Sequence, residues 1–171
     1  ATGGTTNLTA AQILAADYGT VSGIISGATL LTVNTTDTNK QLTLTAANTT
    51  TGGVTLTSGM LRLGNAAAAG TGTLTLNGGA LDATSALTVT NPLSFSADTL
   101  YIGTYNLTQT TGAVALTANR AISVQANQLS LGGVVSGTGF SLTKNGFGTL
   151  QLLGANTYSG GTVVNQGTLD I

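Results

Sequence analysis

Two segments of this chain repeat one another over 22 residues without a gap. Residues 150–171 match residues 42–63, and nine residues recur unchanged at the same spacing, including an Ala-Asn-Thr step and a Gly-Gly step. Self-similarity of this length is the signature of a repeat architecture, in which each unit buries its apolar face against the next. The repeat therefore constrains the fold more strongly than any single motif, and it directs the question of function towards surface and assembly.

The similarity extends upstream and defines a large repeat, residues 22–63 and 132–171. Residues 22–27 (SGIISG) resemble 132–137 (GGVVSG), and the alignment places Leu30 to Val33 on Phe140 to Thr143. A two-residue length change falls at the turn that holds Asp37 and Lys40. We call 22–63 the first repeat copy and 132–171 the second repeat copy.

A shorter repeat lies inside the large one. Residues 54–63 overlay 74–83 after a step of twenty residues. Looser copies follow with a spacing of about 19 to 22 residues, at Leu93, Phe95, Leu100 and Ile102, then at Val114, Leu116, Ile122 and Val124. Short runs alternate Leu or Val with Thr or Ser, which is the period of a half-buried strand. Gly-Gly and Asn-Gly steps separate the runs, as strand corners require. A coil of about 20 residues built from short strands predicts an all-β solenoid with parallel, stacked strands.

Two points of this prediction have alternatives, one for the fold and one for residues 7–16. A β-sandwich of hairpins is also all-β, but the twenty-residue register places Leu over Leu and Thr over Thr, which favours the solenoid. Residues 7–16 (NLTAAQILAA) fit either one short helix capped by Asn7 or a strand, because Leu8-Thr-Ala10 matches Leu116-Thr-Ala118. We expect one solenoid segment over 1–171, continuing in a longer or polymerised chain.

Composition excludes several classes of protein. The 171 residues include four Lys or Arg, five Asp, 35 Thr and no Cys, His or Glu. Low charge and 41% hydrophobic residues disfavour disorder. The net charge of −1 supplies no basic surface for nucleic acid. No run of about 18 apolar residues is present, so we expect no membrane insertion by a helix of these residues.

One stretch carries a family resemblance. Residues 146–169 (GFGTLQLLGANTYSGGTVVNQGTL) resemble the autotransporter-associated β-strand repeat of bacterial passenger domains, with its G-x-G-T-L-x-L strand, N-T-Y-x-G-G-T turn and G-T-L strand. Residues 61–82 resemble the segment that usually follows, and 42–63 are a weaker copy in which Thr50 replaces the Tyr. The resemblance implies a right-handed parallel β-helix, extracellular or on a bacterial surface, that serves as a structural or adhesive scaffold. It implies no single activity.

An enzyme or glycan-binding module on the same fold is the alternative. Glycoside hydrolysis needs two carboxylates facing one cleft, whereas the five acids are isolated in sequence: Asp17, Asp37, Asp82, Asp98 and Asp170. Without His, Cys or Glu, acid–base and nucleophilic constellations lack their usual residues. We therefore expect no enzyme, no catalytic residues, no metal and no cofactor.

The remaining candidate features have simple structural interpretations. The four tyrosines do not share one position in the register, which predicts separate packing roles rather than a sugar-stacking platform (Tyr18, Tyr101, Tyr105 and Tyr158). The N-x-Ser/Thr sequons arise easily at this Thr content (Asn7, Asn34, Asn48 and Asn106). The Thr-rich face suits either glycans or plain exposed strands.

The register also yields two structural expectations. Arg62 and Asp82 fall on equivalent positions of successive coils, so both are expected to point outward and form a surface ion pair. The final coil (TVVNQGTLDI) is as apolar as an interior one, and unpaired strand edges template further pairing. The expected partner is therefore an adjoining repeat or an identical copy, stacked end to end, besides any glycan or host-cell surface.

Overall fold

The chain coils into a β-solenoid of about seven turns in a computed structural model that describes residues 18–34 and 40–171. The possible helix at 7–16, Asp17 and Asp37 lie outside the described residues. Within those residues the structure contains strands and turns and no helix. The alanine run at 66–69 is a turn, in which the Ala68 amide donates to the Asn65 carbonyl at 3.0 Å. The right-handed sense of coiling stays a prediction.

The strands are short, as the alternating runs predicted. In chain order they are β1 (Tyr18–Val21), β2 (Leu31–Val33), β3 (Gln41–Leu44), β4 (Val54–Leu56), β5 (Met60–Leu63), β6 (Leu74–Leu76), β7 (Ala80–Ala83), β8 (Leu87–Val89), β9 (Leu93–Phe95), β10 (Thr99–Tyr101), β11 (Leu107–Gln109), β12 (Val114–Leu116), β13 (Arg120–Val124), β14 (Gln128–Leu131), β15 (Val135–Ser136), β16 (Leu142–Asn145), β17 (Thr149–Leu152), β18 (Thr162–Val164) and β19 (Thr168–Asp170).

Three parallel sheets form the faces of the solenoid. Sheet 1 has the order β1-β3-β5-β7-β10-β13-β16-β18, sheet 2 has β2-β4-β6-β9-β12-β15, and sheet 3 has β8-β11-β14-β17-β19. The first three described coils contribute only to sheets 1 and 2, and sheet 3 begins with β8. Every strand therefore pairs with its equivalent in the neighbouring coil, so the expected backbone stacking is confirmed.

The twenty-residue register is confirmed for residues 54–63 over 74–83, but the looser copy at 93–102 was wrong by one residue in its second half, because buried Tyr101, and not Leu100, pairs with Leu81. Val54, Thr55 and Leu56 pair with Leu74, Thr75 and Leu76. The aliphatic positions face inward and are buried, while the Thr positions between them are partly exposed. The interior is one continuous column of mainly aliphatic side chains, with the aromatic rings of Phe95 and Tyr101 among the largest. Burying such ladders is the main favourable term that holds the coils together.

The alignment of the first repeat copy on the second was also wrong by a residue in one part. The Leu31 amide bonds to the Gly53 carbonyl and the Leu142 amide bonds to the Gly161 carbonyl, each at 3.0 Å. Leu31 is therefore equivalent to Leu142, whereas the alignment had placed it on Ser141. The turn around Gly139, which has a φ of +81°, holds one extra residue. The register is set by the burial of Leu31 and Leu142 at the inward position, and not by the number of residues in the preceding turn.

The two repeat copies share local structure but lie on different faces. In the first copy, residues 42–63 run from β3 in sheet 1 to β4 in sheet 2 and back to β5 in sheet 1. In the second copy, the matching residues 150–171 run from β17 in sheet 3 to β18 in sheet 1 and back to β19 in sheet 3. The repeated sequence thus specifies a strand–corner–strand unit whose place around the solenoid is set by the coils before it.

Candidate functional site: the open edge and the corners

The second repeat copy ends at an uncovered edge of the described solenoid. Its last two strands, β18 and β19, each pair on one side only. Val164 is 47% exposed and Ile171 is 88% exposed, whereas their equivalents in the first copy, Leu56 and Leu63, are fully buried. The first copy is covered by β6 and β7 of the next coil. The repeated 22-residue segment is thus covered by a following coil at residues 42–63 and has no following coil among the described residues at 150–171.

The repeated asparagines, Asn48 and Asn156, hydrogen-bond one coil to the next. Asn48 is buried, its Oδ1 accepts the Ile25 amide at 2.8 Å from the coil before, and its Nδ2 donates to the Ala68 carbonyl of the coil after. In the second copy the Asn156 Oδ1 accepts the Val135 amide at 2.9 Å. No described residue accepts from the Asn156 Nδ2. The open edge therefore lacks one half of a contact that the covered copy makes.

The Gly-Gly step shows the same difference. A Cβ on Gly52 would overlap the Thr29 backbone, and one on Gly160 would overlap Phe140, so both copies need glycine against the preceding coil. Gly53 and Gly161 have positive φ values of 81° and 86°. A Cβ on Gly53 would also overlap the Thr73 backbone of the following coil, whereas no atom lies within 4 Å of such a Cβ on Gly161. Gly161 thus has the backbone conformation of Gly53, without contact to a following coil among the described residues.

The corner between sheets 1 and 3 has buried carbonyl groups that different side chains satisfy in successive coils. The Tyr101 hydroxyl donates to the Tyr105 carbonyl at 2.6 Å, and the Asn127 Nδ2 donates to the Gly103 carbonyl at 2.7 Å. In the next coil the Lys144 ammonium takes this role. Burial, together with the charge of Asp82, raises the pKa of the Tyr101 phenol, so its hydroxyl remains a proton donor.

Lys144 is a fully buried lysine on an inward position of β16. Its Nζ donates to the carbonyls of Asn145 at 2.8 Å, Gly146 at 2.7 Å and Gln166 at 3.2 Å. Burial lowers the pKa of this ammonium below its ordinary value of 10.5. Its neighbours in the ladder are Ile122 and Val164, so the ammonium stands where the sequence pattern calls for an aliphatic side chain. Lys144 thereby connects the corner that follows β16 to the corner that follows β18, where Gln166 lies.

Arg62 and Asp82 do pair, but the expected surface ion pair was wrong in one respect. Arg62 Nε lies 3.1 Å from Asp82 Oδ2, and the two residues are register partners. Asp82 is only 2% exposed. The loop after β10 covers it: the Thr104 amide donates to Oδ1 at 3.0 Å and the Thr104 hydroxyl donates to Oδ2 at 2.7 Å. An outward position in a strand is therefore buried by a corner of the next coil.

The other acids and tyrosines are dispersed. Asp98 is exposed and accepts the Ala121 amide, and exposed Asp170 accepts from the Gln151 amide at 2.7 Å. Tyr105 is exposed, while Tyr158 is half-buried with its hydroxyl 2.6 Å from the Thr162 hydroxyl. Asn48 is a buried sequon, and Asn34 and Asn106 are exposed. In residues 18–34 and 40–171 no three acid, His or Cys side chains gather as a metal site would require.

Sequence reasoning missed the buried polar contacts of the corners. Gln109 is fully buried, its Oε1 accepts the Gly133 amide at 3.0 Å and its Nε2 donates to the Gly112 carbonyl. Asn91 donates to the carbonyls of Gly70 and Gly72 at 3.0 and 2.8 Å. A usable signal existed: an amide or ammonium at an inward position beside a Gly-containing corner.

No described helix has the length and apolarity needed to cross a membrane.

The fold and its corners define a class of protein: a parallel β-solenoid assembled from strand–corner–strand units. The family model of the passenger-associated-transport-repeat matches residues 41–63 and 142–171. These two segments of the chain are therefore repeats of that family, which confirms the resemblance drawn from the N-T-Y-S-G-G-T motif. No curated protein and no solved structure matches the chain.

Proposed function

We propose that this chain is a rigid, non-catalytic scaffold of a secreted or surface-displayed bacterial protein, extended by stacking of further coils. The observation that carries the proposal is the pair of passenger-associated repeats, one closed between two coils and one open at the edge. Buried polar side chains join neighbouring coils by hydrogen bonds, as the contacts of Asn48 and the contact of Lys144 with Gln166 illustrate. Length and stiffness are then the useful properties of the molecule.

Stacking at the open edge follows from the same comparison. Residues 162–171 place exposed apolar side chains and backbone groups without a strand partner among the described residues where residues 42–63 of the first copy meet their next coil, and Asn156 adds its side-chain NH₂ group to the same edge. Unpaired edges of this kind attract further strands. The partner is an adjoining coil of a longer chain or an identical copy, and head-to-tail contacts between copies propagate as filaments.

Location is tested by labelling intact cells of the organism that makes the protein with an antibody raised against the 171-residue chain. The proposal expects labelling without permeabilisation and loss of the signal after brief protease treatment of whole cells. A cytoplasmic protein serves as the control and must stay unlabelled. Signal that appears only after permeabilisation would contradict surface display, and its absence from the culture medium as well would contradict secretion.

A further inference from the structure

The outer corner between sheets 1 and 3 forms a continuous ridge along the solenoid. We define the corner ridge as residues 102–106, 125–127, 146–148 and 165–167, which connect successive strands of these two sheets. Hydrogen bonds connect successive corners. The Asn127 Nδ2 donates to the Gly103 carbonyl. The backbone amides of Thr149 and Thr168, which directly follow the third and fourth segments, donate to the carbonyls of Asn127 and Gly148. The ridge therefore presents one surface per coil in a fixed row.

Two aromatic rings stand on this ridge in a chain that is only 4% aromatic. Phe147, at the tip of a Gly-Phe-Gly corner, is 79% exposed, and Tyr105 is 46% exposed. Their strands are separated by two steps in sheet 1, from β10 through β13 to β16. The strands that lead into the two corners are therefore about 9.6 Å apart along the axis, twice the strand spacing. An exposed aromatic ring held on a backbone corner has a face open to stacking against the apolar face of a ligand.

The groups around the rings are polar and uncharged. No Asp, Glu, Lys or Arg occurs in the four segments of the ridge. Exposed Gln125 lies in the intervening coil, where its backbone amide donates to the Tyr101 carbonyl at 3.0 Å and its side chain has no partner among the described residues. Asn106 and Gln166 each use the side-chain oxygen to accept a backbone amide, from Gln128 and Gly146, and no described residue accepts from their NH₂ groups. Amides with free donors and acceptors match the hydroxyl groups of sugars.

We propose that the corner ridge binds a neutral, extended β-1,4-linked glycan chain lying along the solenoid axis, with Tyr105 and Phe147 as the two stacking platforms. The apolar face of a pyranose ring packs on an aromatic face, and the ring hydroxyls bond to neighbouring amides. Because successive rings of a β-1,4-linked chain are turned over, the same face recurs at every second sugar, which suits rings set two coils apart. A protein partner would instead require one contiguous apolar centre with a polar rim.

The test uses the purified 171-residue chain with three neutral probes: cellohexaose, N-acetylchitohexaose and the α-linked maltohexaose. Isothermal titration is expected to show binding of at least one β-linked probe and weaker or no binding of maltohexaose. Phe147→Ala and Tyr105→Ala are each expected to weaken that binding about tenfold, and Phe147→Trp to retain it. Leu153→Ala removes an exposed apolar side chain outside the ridge and serves as the matched control.

Three results would overturn the proposal: no binding of either β-linked probe, equal binding of maltohexaose, or binding that survives the Tyr105→Ala, Phe147→Ala double variant. Circular dichroism of each variant shows whether the solenoid is retained. Because both rings are exposed, the substitutions are expected to leave the unfolding midpoint within experimental error of the parent. The scaffold proposal is independent of this result, since its test is cell-surface labelling rather than glycan affinity.

Discussion

Arg62 and Asp82 lie on successive coils of sheet 1, with Arg62 Nε 3.1 Å from Asp82 Oδ2, and the corner at Thr104 of the third coil closes over the carboxylate. Asp82 thus ties together three coils. A carboxylate that accepts three hydrogen bonds, one of them from a cation, is stabilised in a place where an unpaired charge would be costly. The contact is a structural one, and it accounts for a carboxylate on an otherwise uncharged stretch.

We expect Asp82→Ala to lower the free energy of unfolding by about 2–4 kcal/mol, because it leaves the Thr104 amide and the Arg62 guanidinium without their buried acceptor. Arg62→Ala should cost about 1 kcal/mol, since that side chain is partly exposed and one of three donors is lost. Urea denaturation followed by circular dichroism measures both. Asp98→Ala, at an exposed acid with one backbone contact, is the control and should cost less than Asp82→Ala. Equal costs for the two acids would contradict the assigned role of Asp82.

The two repeated asparagines should differ in importance. Asn48→Ala removes buried contacts to the coils on both sides and should cost about 2–3 kcal/mol, whereas Asn156→Ala removes one contact and should cost about 1 kcal/mol. The pair is matched in sequence and in local structure, so the difference reports only whether a following coil is present. If Asn156→Ala proved as costly as Asn48→Ala in the 171-residue chain, its amide would have a second partner that the structure lacks.

A second matched pair tests the same idea through the backbone. Gly161→Ala introduces a side chain at positive φ with open space around it, so it should cost about 1–2 kcal/mol. Gly53→Ala meets the same strain and also overlaps the Thr73 backbone, so it should cost more and separate the coils locally. Thermal unfolding of the two variants provides the comparison. Equal destabilisation would show that the space above Gly161 is already filled.

The pH dependence of stability should reveal Lys144. Because the folded state lowers the pKa of this ammonium below 10.5, the unfolded chain holds the proton over a pH range in which the folded chain has released it. Stability therefore rises with pH across that range, up to the ordinary pKa of lysine. The stability of the parent minus that of Lys144→Met isolates this contribution, because tyrosine ionisation affects both proteins alike. A difference that stays flat or falls as the pH rises towards 10.5 would contradict the lowered pKa.

Much of the fold could be predicted because the period of the sequence is also the period of the structure. Val54 over Leu74 and Arg62 over Asp82 follow from a constant step of twenty residues. The structure of the corners could not be predicted from this period, because corner length varies and corner residues make their contacts with other coils. Thr104 lies 22 residues from Asp82, and the extra residue near Gly139 shifted one alignment by a position. Burial of Asp82 and Lys144 depends on those corners, which neither alternation nor spacing describes.

Extension of the solenoid through its open edge is the central claim, and sedimentation velocity of the isolated 171-residue chain tests it most directly. The Asn165 amide bonds back to Lys144, and alternate amides of a strand face opposite sides, so the Val164 amide points to the open edge. Val164→Pro removes that edge donor at a place where proline is tolerated. The account predicts elongated species that grow with concentration in the parent chain and are lost in Val164→Pro. A parent chain that sediments as a monomer at every concentration, with the β18 and β19 amides protected from hydrogen exchange, would contradict it.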